Sequence, residues 1–216
     1  MANCLLARNR VPKQMLDLLD YRRRVFAMYQ RIRELGTDAP EAFALFCSTR
    51  DDLFGGHPQS ALDEKQMQAF TGLRYHDYDP AYRVISELKR ADSSLPETVL
   101  DGGEDGAIGI RQIGEVHFDL PTGTGHLGVF WVLGYGGGIF IPFRDTTNGK
   151  TTYGGGRYLY DTIKGADLGT VGDALVLDFN YAYHPSCYYN PRWVCPLAPP
   201  TNQLNFPIEA GEKLLW

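Results

Sequence analysis

The sequence lacks the features that would point to a membrane, secretion or a nucleic-acid partner. No apolar run approaches the roughly 20 residues that a helix needs to span a bilayer. The first ten residues, MANCLLARNR, lack the apolar core of a signal peptide. Lysine and arginine number 21 against 26 aspartates and glutamates, which disfavours a general nucleic-acid surface. We therefore expect a cytoplasmic protein that binds neither a membrane nor nucleic acid.

Cysteine is also scarce. The four cysteines, Cys4, Cys47, Cys187 and Cys195, are too few and too scattered for a disulfide scaffold. A chain of 216 residues buries enough surface to fold without cross-links. In a reducing compartment we expect most of these side chains to remain thiols.

The first third of the chain has helical periodicity. Apolar residues recur every three or four positions between Pro12, which suits a first turn, and Gly36, which suits a helix end. Ser60 and Asp63 supply capping oxygens for a later helix. The pattern predicts helices from Pro12 to Leu35, from about Pro40 to Phe54, and a short third one beginning near Ser60.

After Gly72 the apolar pattern changes to period two, which is typical of strands. Asn148-Gly149 is the strongest hairpin signal. Sequential strands without intervening helices imply antiparallel pairing in a barrel or sandwich. We predict an α+β fold: a helical segment, residues 1–72, packed on an antiparallel β-barrel domain, residues 73–216. The predicted strands are Tyr82 to Leu88, Ile108 to Leu120, His126 to Leu133, Gly138 to Phe143, Thr151 to Tyr158 and Ala174 to Asn180.

Two glycine triplets, residues 136–138 and 154–156, raise the question of a phosphate loop. Such a loop follows a strand and opens a helix, so that free amides and the helix dipole meet the anion. Neither triplet precedes a predicted helix. We interpret the second triplet as a bulge, a sharp coil of the sheet, or a point of close approach to the backbone.

Short motifs are spread over the second half of the chain. They read Pro142-Phe143-Arg144-Asp145, Thr152 to Leu159, Leu177-Asp178-Phe179-Asn180, Pro185 with Cys187, Cys195-Pro196-Leu197, Asn202 and Ala210 to Lys213. With Phe70 to Tyr75 and Asp79 to Arg83 upstream, they resemble the family called domain of unknown function 1684, over roughly residues 40–216. The family has no established chemistry, so the resemblance implies no activity. His184 stands where the family's Ala-Tyr-Asn-Pro motif has asparagine. A mechanism that requires this histidine would therefore not extend to relatives.

One stretch, HPSCYYNPRWVCPLAPP from His184 to Pro200, concentrates reactive and rigid residues. A zinc site of His184, Cys187 and Cys195 is one ligand short of a closed site and lacks the usual spacing of zinc modules. A nucleophilic Cys187 would have only His184 as a local base. A disulfide between Cys187 and Cys195 is feasible, although a cytoplasmic setting counts against it. The simplest interpretation makes both cysteines small buried residues under a rigid closing loop.

Arg157 is the polar residue most suggestive of a ligand. It follows a glycine triplet and has Tyr153 and Tyr158 nearby, so it could present a planar fork and hydroxyl groups to an anion in a barrel mouth. The alternative is that Arg157 is the buried partner of a carboxylate such as Asp178 or Asp145. We also expect an ion pair between Arg144 and Asp178.

The leading hypothesis is a protein that binds a small, partly anionic and partly flat ligand in a barrel pocket, with a flavin as one candidate. The candidate ligand-binding residues are Arg157, Tyr153, Arg144, Asn180, Tyr158 and Trp193. The alternatives are an enzyme that uses Cys187 or the Asp178/His184 pair for acid–base chemistry, and an interaction module that docks a partner through the N-terminal helices. Zinc is disfavoured as a cofactor.

Overall fold

The computed structural model describes residues 13–91, 97–101 and 106–216. Cys4 and the predicted helix start at Pro12 lie outside these residues. Three helices come first in the chain, as the periodicity predicts. They are α1, Lys13–Leu35; α2, Pro40–Gly56; and α3, Glu64–Ala69. No helix among the described residues combines the length and the apolar character that crossing a bilayer requires.

The start of α3 differs from the prediction by a few residues. Asp63, and not Ser60, caps this helix: its Oδ1 accepts from the amide of Gln66 at 2.8 Å, and Gln66 Oε1 accepts from the amide of Asp63 at 2.8 Å. The Ser60 hydroxyl instead donates to the Phe54 carbonyl at 2.7 Å, which closes the turn after α2.

Helix α1 is buried over only its C-terminal half. Met28, Tyr29 and Ile32 belong to the core, whereas Met15 is 63% exposed and Leu19 is 43% exposed. The predicted apolar stripe is therefore present, but only its C-terminal half reaches the core.

Nine strands are present in the described residues, and all of their pairings are antiparallel. One sheet has the order β1-β9-β8, and the other has the order β2-β4-β5-β6-β7 with β3 also paired to β4. The strands are β1, Arg83–Glu87; β2, Lys89–Arg90; β3, Thr98–Asp101; β4, Ala107–Leu120; β5, Gly123–Val132; β6, Gly138–Phe143; β7, Arg157–Asp161; β8, Thr170–Val171; and β9, Ala174–Asp178.

The α+β class is confirmed, and the sheets are sandwich-like instead of closed into a barrel. In the part of the chain that the structure describes, β2 and β7 lie at opposite ends of the larger sheet and do not pair. The two sheets and the first two helices share one core, in which the Phe179 ring meets Phe118 at 5.1 Å and Phe143 at 5.5 Å between centroids. A smaller apolar cluster contains Ile110 and Phe140.

The predicted strand from Thr151 to Tyr158 is wrong over its first six residues. Residues 144–156 form a loop, because polar side chains satisfy its backbone locally: Asn148 Nδ2 donates to the Tyr153 carbonyl at 2.9 Å, and Asn148 Oδ1 accepts from the amide of Asp145 at 2.8 Å. Gly156 ends the loop with φ +97°, and a Cβ there would collide with the Phe143 carbonyl. The positive φ and the close approach of the Phe143 carbonyl therefore both require glycine at position 156.

Candidate functional site

Arg50 is the charged residue that α2 places in the core. Ala42, Phe46 and Leu53 of the same helix are buried and, with Arg50, follow the i, i+4, i+8, i+11 spacing of one helix face. Arg50 is 8% exposed. Since arginine is almost never buried without a partner, its position on this stripe requires neutralising or hydrogen-bonding groups nearby.

Those groups are present. Arg50 Nη2 donates to Glu212 Oε2 at 2.7 Å, and Arg50 Nε donates to the Tyr75 hydroxyl at 2.9 Å. Three aromatic rings surround the guanidinium carbon: Phe46, Phe54 and Tyr183, at 5.3, 5.2 and 5.1 Å from their centroids. Among the described residues, Nη1 of Arg50 makes no hydrogen bond. One edge of the fork therefore remains available.

Glu212 is the counter-ion, and it is 1% exposed. Its Oε2 accepts from the His184 amide at 2.9 Å, and its Oε1 accepts from the Tyr189 hydroxyl. Burial raises the pKa of Glu212 to about 7, while Arg50 and the His184 amide oppose that rise. The carboxyl group is therefore poised to change its charge near neutral pH.

His184 has a defined tautomer. Its Nε2 accepts from the Tyr153 amide at 3.1 Å, so the lone pair of the neutral ring is on Nε2 and the proton is on Nδ1. Burial lowers the pKa of His184 well below its ordinary value, with Arg157 and Arg50 adding to the effect, so the ring is neutral. The Nδ1–H has no hydrogen-bond partner and lies 3.7 Å from Glu212 Oε1. It is an unsatisfied buried donor.

A cavity of about 100 Å³ lies beside this cluster, between α1, α2 and the segments around Lys164 and His184. Arg50 and His184 are its buried polar wall residues, and the Lys164 side chain, 61% exposed, lies at its edge. Its flat walls are the rings of Tyr21, Tyr29, Phe54 and Tyr183. The cavity thus combines an arginine cation with aromatic surface, and a buried histidine forms part of its wall.

A second depression is larger and more open. It measures about 450 Å³ and is lined by Glu87 and Asp173 together with three apolar side chains. Neither the cationic nor the aromatic character of the first cavity is found among those lining residues. We assign no site to it.

Arg157, the leading sequence candidate, is fully buried and is not a wall of the cavity. Its Nη2 donates to Asp145 Oδ2 at 2.9 Å and to the Ile208 carbonyl at 2.8 Å, while Nη1 donates to the carbonyl of Ala210. The structure therefore favours the alternative prediction, a buried carboxylate partner, and identifies that partner as Asp145. Arg157 ties β7 to the C-terminal segment.

The predicted ion pair between Arg144 and Asp178 is not formed. Asp178 accepts from the amide nitrogen and side chain of Asn180 and, at 3.4 Å, from the Tyr78 hydroxyl. Burial raises the pKa of Asp178 to about 6 against these hydrogen bonds. Arg144 has a buried Nε without a partner.

Asn180, another ligand-binding candidate, forms hydrogen bonds that hold two chain segments together. Its Oδ1 accepts from the Asp79 amide at 3.0 Å, and its Nδ2 donates to the Asp79 carbonyl at 2.9 Å. Both polar ends of this buried amide are satisfied within the protein, so Asn180 joins the segment before β1 to the segment after β9.

The proline-rich stretch folds over the helices. It includes a short helix α4, Ser186–Tyr189, and the indole N–H of Trp193 donates to the Ala61 carbonyl at 3.4 Å. The Tyr158 hydroxyl donates to the Pro196 carbonyl. Trp193 and Tyr158 therefore anchor the closing loop, and neither lines the cavity.

The two cysteines of this stretch are half-buried and close together, so they are less buried than predicted. The amide of Cys187 donates to Cys195 Sγ at 3.3 Å, and the Tyr153 hydroxyl lies 3.8 Å from Cys187 Sγ. The ring of His184 is hydrogen-bonded to Tyr153, so neither the Cys187–His184 dyad nor an Asp178–His184 pair is formed. Within residues 13–91, 97–101 and 106–216, no group of three or more His, Cys, Asp or Glu side chains is placed to hold a metal.

Sequence reasoning missed Arg50 and the aromatic walls of the cavity. The signal for Arg50 was available, because a single arginine interrupts the buried stripe of α2 and so demands a partner. Nothing in the local sequence identifies Glu212 as that partner, since 162 positions separate the two residues.

The fold and this cavity define the class: an α+β protein with two antiparallel sheets and a small cationic, aromatic cavity under its helices. The chain belongs to the family described as protein of unknown function (DUF1684), whose model matches residues 68–213. The solution NMR structure of an uncharacterized protein from Haloarcula marismortui is 33% identical, over 77% of this chain and 89% of that one, with a TM-score of 0.56. No curated protein matches the chain. The matched segment contains His184 and Glu212, but Arg50 precedes it.

Proposed function

We propose that the protein binds a small planar carboxylate in the cavity beside Arg50. The observation that carries the proposal is the guanidinium of Arg50, a wall residue of the cavity, which is held by Glu212 and three rings while its Nη1 makes no hydrogen bond among the described residues. Arginine presents parallel N–H donors that match a carboxylate. His184 also lines the cavity, and its unsatisfied Nδ1–H is buried 3.7 Å from Glu212 Oε1.

The size of the cavity limits the ligand. An apolar cavity of about 150 Å³ holds one benzene molecule, so a cavity of about 100 Å³ encloses a fragment smaller than that ring. The three fused rings of a flavin, the candidate from the sequence, are too large to be enclosed. The carboxylate and double bond of a short unsaturated acid form a fragment of that size, and the rings of Tyr21 and Tyr183 are among the flat surfaces that line the cavity.

Protonation of Glu212 would leave the positive charge of Arg50 free to balance the charge of a bound carboxylate. When Glu212 is ionised, it neutralises Arg50, and when it is protonated, the charge of Arg50 is left for the ligand. Because the pKa of Glu212 is raised to about 7, the second state is accessible near neutral pH. Binding of an anion then favours proton uptake, and affinity rises as the pH falls toward 6.

The test is calorimetric titration with acetate, crotonate and benzoate, each compared with its neutral amide. The amide has nearly the same shape as the acid but lacks the charge. A hydrogen bond to a charged group contributes about 1.5–3 kcal/mol. We therefore expect crotonate to bind at least about tenfold more tightly than crotonamide. Benzoate should bind more weakly than crotonate because its ring exceeds the cavity. Equal affinity for acid and amide, or no binding of any acid, would contradict the proposal.

Two variants locate the binding. Val25→Trp fills the cavity from α1 without replacing Arg50 or Glu212, and should abolish crotonate binding while the protein remains folded. Lys164→Gln removes the cation at the edge and should weaken binding a few-fold at low salt. Lys150→Gln is the matched control, because it makes the same charge change on an exposed loop residue that does not line the cavity. Equal effects of the two lysine variants would place the anion elsewhere.

A further inference from the structure

Cys187 and Cys195 share one small volume of the closing loop. Cys195 Sγ lies 3.3 Å from the main-chain nitrogen of Cys187, and the Tyr153 hydroxyl lies 3.8 Å from Cys187 Sγ. Both side chains are half-buried, so a small reagent can reach them. A disulfide requires sulfur atoms about 2 Å apart. Because Cys195 Sγ already contacts the backbone of Cys187, rotation of the two side chains can bring the sulfurs toward each other.

We propose that Cys187 and Cys195 form a redox-modification site at which a small disulfide, such as glutathione disulfide, oxidises the two thiols to an intramolecular disulfide. The proposal is independent of the ligand assigned to the cavity. It rests on the contact of Cys195 Sγ with the Cys187 amide, in a loop that Trp193 and Tyr158 anchor through other groups.

The environment distinguishes the two sulfurs. Donation from the Cys187 thiol, and from the amides of Cys187 and Ser186, lowers the pKa of Cys195. The same contact raises the pKa of Cys187, because Cys187 keeps the proton that it donates. Burial, together with the neighbouring Cys187, raises the pKa of Tyr153 to about 12, so its hydroxyl remains a donor to sulfur. Because the Cys187 amide also donates to Cys195 Sγ at 3.3 Å and so stabilises a thiolate there, we assign Cys195 as the attacking thiolate and Cys187 as the resolving thiol.

The reaction balances in two exchange steps. The Cys195 thiolate attacks one sulfur of glutathione disulfide, forms a mixed disulfide and releases one glutathione thiolate. Cys187 then loses its proton to solvent and attacks Cys195 Sγ, which forms the protein disulfide and releases the second glutathione thiolate. The two thiols lose two electrons and two protons in total. Both electrons and both protons end on the two glutathione molecules.

Tryptic mapping detects the product directly. Trypsin cuts after Lys164, Arg192 and Lys213, so Cys187 and Cys195 fall in different peptides, 165–192 and 193–213. The protein is equilibrated with mixtures of reduced and oxidised glutathione, free thiols are alkylated in acid, and the digest is analysed by mass spectrometry. We expect the two peptides to be joined in oxidising mixtures and separate after reduction. Absence of the joined peptide even in excess glutathione disulfide would overturn the proposal.

Single variants test the assigned roles. Cys187→Ser should stop at the mixed disulfide on Cys195, because the resolving thiol is missing. Cys195→Ser should react at least about tenfold more slowly, because the attacking thiol is missing and burial still raises the pKa of the remaining Cys187. Cys47→Ser is the matched control: Cys47 lies on α2 with a pKa that burial raises to about 12, and its loss should leave the joined peptide unchanged. A joined peptide that requires Cys47, or that persists in either of the other variants, would also overturn the proposal.

Discussion

Replacing Arg157 by methionine tests the assignment of this residue to the core. The change keeps most of the apolar stem and removes a guanidinium that is fully buried against Asp145 at 2.9 Å. Asp145 still accepts from the Thr147 amide at 2.7 Å, but that bond does not neutralise its charge. Breaking a buried ion pair from one side typically costs about 3–5 kcal/mol. For a chain of this length, that corresponds to a melting temperature lower by roughly 6–20 °C.

The control for Arg157→Met is Arg144→Met, the same chemical change at a nearby arginine that has no carboxylate partner among the described residues. We expect its free energy of unfolding to stay within about 1 kcal/mol of the wild type. The double variant Arg157→Met with Asp145→Asn should recover part of the loss, because no unpaired carboxylate remains. Thermal and urea unfolding measure all three. Crotonate binding should survive in Arg157→Met. A near-native melt with binding abolished would refute the structural role.

Three further changes probe other contacts. Glu212→Gln should flatten the pH dependence of the free energy of unfolding between about pH 4.5 and 7. In the wild type, the pKa of Glu212 is about 7 in the folded state against an ordinary value of 4.5. The wild type therefore loses about 3 kcal/mol of folding stability as the pH rises through this window. Melting temperatures that fall equally with pH in both proteins would contradict this. Asn180→Ala should cost about 2–3 kcal/mol in urea unfolding, since it leaves the Asp79 amide and carbonyl unpaired, yet crotonate titration should be unaffected. Gly156→Ala should lower the melting temperature strongly, whereas Gly154→Ala, with open space around its Cβ position, should change stability by less than about 1 kcal/mol.

The sequence predicted those parts of the fold that depend on local periodicity. Strand β6, Gly138–Phe143, agrees with the prediction at both ends, and α2 begins at the predicted Pro40. The predicted strand from Thr151 was wrong because side-chain hydrogen bonds of Asn148 satisfy the backbone of the loop, and such bonds compete with strand pairing. The period-two pattern of apolar residues contains no information about this competition.

The candidate site was harder to predict because its polar residues meet only in three dimensions. Arg157 was identified as an important arginine, but the sequence could not show whether its partner was a ligand or Asp145. Arg50 and Glu212 come from opposite ends of the chain and are joined by the fold. His184 and Cys187 were found from their local concentration. Their partners, Glu212 and Cys195, decide their chemistry, and the tertiary structure fixes those contacts.

The central claim is that the cavity beside Arg50 holds a small carboxylate. The most direct measurement is NMR titration of ¹⁵N-labelled protein with crotonate, observing the side-chain Nε–H of Arg50 and Arg157 and the ring nitrogens of His184. Arg157 serves as the internal reference because it is buried outside the cavity. The account predicts saturable shifts of the Arg50 and His184 signals, no shift for Arg157, and no response to crotonamide. Unchanged Arg50 and His184 signals at saturating crotonate would contradict it.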